Sequence, residues 1–198
     1  VVYWLVRLRG RFAQERFLTF CLVIMGIGGV GGTLYHAFRV SRWFLLMDWL
    51  PIAILVVASA VYFYRQLLRR GWHTALIVLA LFAGNGLLFG VLRRVGGVSD
   101  HLIINANYSL MGLFVAVPFV WWLTRTDYAH GRYILWAVVS FAAAVFCRVA
   151  DPWALVPMGT HFLWHTFGAL TAHLMIAFMF HIRADDIQPS PRRDEATA

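Results

Sequence analysis

The sequence predicts an all-α fold, a polytopic transmembrane helical bundle with six complete spans and the tail of a seventh. Three observations lead there. Of the 198 residues, 61% are hydrophobic and 13% are charged, far from the roughly half-apolar, quarter-charged mix of soluble domains. Apolar runs of about 20 residues, the length that crosses a hydrocarbon core at about 1.5 Å of rise per residue, recur along almost the whole chain. The breaks between them carry arginines singly and in pairs, and all seventeen basic residues are Arg.

Taken in order, the opening VVYWLV is apolar and leads into an Arg-rich loop (Arg7, Arg9, Arg11, Arg16), so it reads as the end of a span whose beginning lies upstream. Six runs follow, near 17–38, 45–64, 72–92, 102–124, 132–149 and 160–182. From Ala184 the chain turns polar (DD, then PSPRRDEATA) with no apolar period, and 184–198 is expected to be a disordered tail. Successive loops lie on alternate sides of the membrane. Twelve arginines fall on the side that holds the tail, against Arg39, Arg42, Arg93, Arg94 and Arg148 on the other, so the C-terminus is expected in the cytoplasm. The net charge of +8 is therefore a topology signal. It forms no single basic stripe, which argues against nucleic acid as a partner. Cys21 and Cys147 both fall inside apolar runs, where neither a disulfide framework nor a thiolate metal site can be built.

Ionisable groups inside a membrane are costly, and they mark functional sites by default. Asp48 is the one acidic residue well inside a run, while His36, His161, His165 and His173 lie within runs or at their ends. His36 ends the first complete run, Asp48 opens the second, and His161 and His165 open the last. The alternation of crossings assigns all four to the non-cytoplasmic side. Residues four apart share a helix face, so His161 and His165 can address one ion, and His36 supplies a third imidazole. Three neutral nitrogens with an open fourth position form the pattern of a catalytic zinc, whose bound water has a pKa of about 7. Asp48 is then a general base or acid, or a group that orients a ligand histidine. The histidines outside this set (His73, His101, His130, His173, His181) read as packing or interfacial residues.

The run GTLYH at 32–36, Asp48 in MDWLP, RVADPW at 148–153 and GTHFLWHTFGALTAH at 159–173 resemble the alkaline ceramidase family, part of the CREST group of seven-span membrane hydrolases. The resemblance extends over most of the chain, with its specific matches at 32–51 and 148–173. It implies a CREST-like transmembrane hydrolase domain over 1–183. The implied activity is a zinc-dependent amidase that cleaves the N-acyl bond of ceramide or a related lipid amide, with His36, His161 and His165 on the metal and Asp48 as the family's aspartate. The family has a serine four residues before the first histidine; here that position is Gly32, and Thr33 on a similar face is the candidate to replace its hydroxyl. The family's acidic, calcium-binding N-terminal segment has no counterpart in these 198 residues, so no calcium site is expected in them.

GIGGVG at 26–31 matches a dinucleotide-binding pattern but lies inside a membrane run. Its glycines are expected to permit close helix packing or to leave space beside the metal. Asn107-Tyr108-Ser109 matches a glycosylation sequon but falls in a span. Asn85, Asn105 and Asn107 are expected to hydrogen-bond between helices, and Asp151 to pair with Arg148, with a supporting role at the metal as its sharper reading. Two rival functions stand beside the hydrolase: a membrane haem electron carrier, because paired membrane histidines also bind haem iron, and a receptor-like protein whose zinc only staples helices.

Overall fold

The computed structural model describes residues 1–39, 41–68, 70–95 and 98–187. Among the described residues seven α-helices follow one another: α1 (Val2–Arg7), α2 (Arg16–Phe38), α3 (Arg42–Leu67), α4 (Gly71–Val95), α5 (Asp100–Arg125), α6 (Gly131–Val149) and α7 (His161–Ile187). A 3-10 turn at Asp151–Trp153 lies between the last two. No strand occurs among the described residues. Six of the helices, α2 to α7, are long and apolar enough to cross a membrane. The chain is an all-helical, multi-pass membrane protein.

The helices run a few residues beyond the apolar runs that announced them. α3 begins at Arg42 and carries Arg65 in its last turn; arginine stems reach along apolar surface while the charged head seeks water. α7 continues to Ile187, four residues into the stretch expected to be disordered, since no Gly or Pro interrupts the chain between Arg183 and Ile187. The rest of that expected tail, 188–198, lies outside the described residues. Pro51 and Pro118 sit inside α3 and α5, an arrangement transmembrane helices tolerate.

The chain divides into two compact units, Val1–Arg125 and the part from Thr126 onward. In the first, α3 is central: it packs against α2, α4 and α5. Its best-buried side chains gather where the start of α2 meets the ends of α3 and α5. Phe63 lies 4.3 Å from Phe119 and 5.5 Å from Trp122 between ring centroids, and Phe17 stacks on Tyr62 at 4.3 Å. Leu18, Cys21 and Leu22 near the start of α2 are likewise buried. Exposed Leu79, Leu87 and Leu113 need no protein partner in acyl chains, which solvate leucine as well as protein does.

The second unit is an α6–α7 hairpin. α6 buries Ile134, Ala137, Ser140, Ala144 and Cys147, a three-and-four spacing of mostly small side chains that lets the helix backbones come close. Polar ties cross the seam: Ser140 Oγ donates to the Phe167 carbonyl at 2.8 Å, Thr160 Oγ1 to the Cys147 carbonyl, and Thr171 Oγ1 to the Ala137 carbonyl at 3.5 Å. At the far end of the hairpin His181 stacks on His130 (5.4 Å) and Tyr133 (5.1 Å), the packing role expected of His130 and His181.

Candidate functional site

In the first unit, the end of α2 and the second turn of α3 bring His36 and Asp48 together. α2 stops because Arg39 takes a left-handed conformation (φ 51°) with its N–H on the Tyr35 carbonyl. α3 restarts at once, capped by Ser41, whose hydroxyl accepts from the Trp43 N–H. This tight reversal lays Asp48 against the last two turns of α2. Its Oδ2 lies 3.7 Å from His36 Nε2, and the carboxylate is largely withdrawn, with 14% of the side chain exposed.

The glycines of α2 explain how the carboxylate reaches that place. A Cβ on Gly32, one turn before His36, would stand 2.5 Å from Asp48 Oδ1; one on Gly31 would stand 2.8 Å from the Met47 carbonyl carbon and oxygen; one on Gly28 would meet Pro51 at 3.1 Å. Gly26 and Gly29, on other faces, have nothing within 4 Å. Within the 26–31 motif, Gly28 and Gly31 thus form the face on which α3 packs, and Gly32 extends that face to the acidic side chain. Thr33 does not share this face. It is exposed, and its Oγ1 donates to the Gly29 carbonyl at 2.7 Å, the local back-bond common for threonine in helices.

In the second unit, His161 is the first residue of α7 and His165 follows one turn later. Their Nε2 atoms are 3.2 Å apart and their ring planes stand 70° to one another. Two nitrogens bound to one tetrahedral zinc at about 2.0–2.1 Å would be separated by about 3.3–3.4 Å. The pair already has the spacing of two such ligands, and the donor set suits zinc.

Asp151 is bonded to the start of this helix. Its Oδ1 accepts from the backbone N–H groups of Thr160 (2.7 Å) and His161 (2.9 Å). It caps α7 where an ion pair with Arg148 had been expected, and the Arg148 guanidinium lies over the Trp164 ring, 5.2 Å from its centroid. Four N–H groups at a helix start lack intrahelical partners, and their dipoles attract an anion; this local demand outcompetes a neighbouring guanidinium. Of the remaining polar residues, Asn107 Nδ2 donates to Asn85 Oδ1 at 2.9 Å between α5 and α4, the interhelical bond expected of them. His73 lies against Trp72 (3.9 Å).

No curated protein and no solved structure matches the chain. One family model does match, over residues 1–169, a stretch that contains His36, Asp48, Asp151, His161 and His165. The chain belongs to that family, described as a family of unknown function (DUF6962).

Proposed function

We propose that this protein is a zinc-dependent intramembrane amidase, similar to the alkaline ceramidases, that hydrolyses the N-acyl bond of ceramide or a related lipid amide. The observation that carries the reading is the 3.2 Å separation of His161 Nε2 and His165 Nε2, the bite that one tetrahedral cation requires. The alternation of crossings, read from the sequence, assigns His36 as the third ligand. The Arg distribution assigns the site to the non-cytoplasmic side and the C-terminus to the cytoplasm.

A zinc ion held by His36, His161 and His165 would supply hydroxide at neutral pH and polarise a carbonyl. The protein's own groups handle the protons. Asp48 Oδ2 lies 3.7 Å from His36 Nε2, and we assign to this carboxylate the proton of the attacking water. As the new C–O bond forms and the amide C–N bond breaks, the same carboxyl returns the proton to the leaving nitrogen, so that an amine and a fatty acid depart. Thr33 remains the candidate hydroxyl for the oxyanion. Its proton lies on the Gly29 carbonyl, so that role requires the bond to be exchanged during the reaction.

Metal analysis of the purified protein, followed by fatty-acid release from a panel of N-acyl sphingoid and other N-acyl lipids, tests the proposal. One zinc per chain and turnover are expected. His165→Ala should remove both, whereas Asp48→Asn should keep the metal and lower turnover by at least about 100-fold. Hydrolysis that persists after the metal is stripped overturns the mechanism. A Soret band assigns the histidines to haem, and zinc without turnover on any amide assigns the metal to a structural, receptor-like role.

A further inference from the structure

We infer that Asp151 and Gly159 form a latch that positions the two histidines of α7 for a metal ion, making Asp151 a positioning residue for the site. The inference rests on the metal reading above, and its geometry lies wholly within the α6–α7 hairpin.

His161 is the first helical residue of α7, the place where helices fray because their opening N–H groups have no partners in the helix. The His161–His165 pair faces one ion only while that first turn keeps its helical angles. A metal site therefore needs the start of α7 held more firmly than an ordinary helix end. Asp151 Oδ1 does this from outside the helix, taking the N–H of His161 itself and that of Thr160. Thr160 would ordinarily cap the helix with its own hydroxyl. Here that hydroxyl is turned to the Cys147 carbonyl near the end of α6, leaving the cap to the aspartate. One residue is thereby bonded to both sides of the connection.

Gly159 makes room for the latch in two ways. Its φ of +74° belongs to the region that side chains disfavour, and a Cβ there would stand 2.5 Å from Asp151 Oδ1. A carboxylate is not chemically required, since an asparagine carbonyl oxygen in the same place accepts the same two bonds. The role is directional, and this distinguishes it from a charge effect on the metal.

The test uses the full chain in detergent, with cobalt(II) as a spectroscopic substitute and zinc competition to rank affinities. Hydrogen exchange of the His161 amide is followed in parallel without metal. Asp151→Ala and Gly159→Ala should each weaken metal binding by about tenfold or more, the usual effect of losing a group that orients a ligand. Both should alter the cobalt ligand-field bands and speed exchange at His161. Asp151→Asn should restore affinity, spectrum and protection to within about threefold of the original protein. Unchanged binding in Asp151→Ala or Gly159→Ala, or an Asp151→Asn as impaired as the alanine, overturns the latch while the metal reading stands. An original protein that binds neither cobalt nor zinc overturns the metal reading and the latch with it, even where exchange at His161 responds to Asp151→Ala. Should Asp151→Ala fail to fold, Gly159→Ala and Asp151→Asn give the same decision.

Discussion

The α2–α3 pair and the α6–α7 hairpin both present a polar group at the end of an apolar helix, and they hold it by opposite means. On α2 the means is the absence of side chains: Gly28, Gly31 and Gly32 let α3 come so near that Met47, Asp48 and Pro51 rest on the helix surface. Between α6 and α7 it is an excess of hydrogen bonds, from Thr160 to Cys147, from Ser140 to Phe167, and from the start of α7 to Asp151. The difference follows from what each must fix. A carboxylate next to an imidazole needs to be placed and shielded, which close packing achieves. Two imidazoles on one helix are already in register, and need only that their turn does not unwind. In a bilayer, where leucine gains nothing by leaving lipid for protein, these are the two resources available for joining helices.

The comparison can be broken most severely at Gly32. Gly32→Ala should displace Asp48 and lower turnover on an N-acyl lipid by about 100-fold, since a shift of about 1 Å in a catalytic group has that effect. Zinc content should stay unchanged, and turnover within a factor of two of the original would show that the carboxylate has another route to its place. Next, Gly31→Ala should destabilise the protein by about 1–3 kcal/mol through overpacking against Met47. Gly29→Ala, with open space around it, should be neutral or stabilising by up to about 1 kcal/mol; reversible unfolding in mixed micelles measures both. In the hairpin, Thr160→Val removes a single interhelical bond. An effect of about 0.6–2 kcal/mol is expected in the same assay. Smallest of all, Thr33→Ala should lower turnover less than about tenfold, because the hydroxyl is already bonded to its own helix; a loss of about 100-fold or more would establish it as an oxyanion donor.

Much of the fold was legible because a membrane span is a local property. Each run of apolar residues can be recognised without knowing its neighbours, and all six proved to be helices, with ends extended by arginines whose heads need not stay in lipid. The His161–His165 pair was legible for the same reason, since four residues along a helix is a distance set by the backbone alone. Asp151 was harder to read. An aspartate three residues from an arginine invites an ion pair. Only the signal of a glycine directly before Thr160 and His161 hinted that the chain doubles back there to offer a carboxylate to the start of the helix.

By itself, then, the sequence determined that this chain is all-helical and that six of its stretches are long and apolar enough to cross a membrane. The tertiary structure alone decided that Asp48 lies over Gly32 and that Asp151 caps the helix of His161. The physical reason is that both depend on how closely two separate pieces of backbone approach. That distance is set jointly by every side chain between them, including those that are missing.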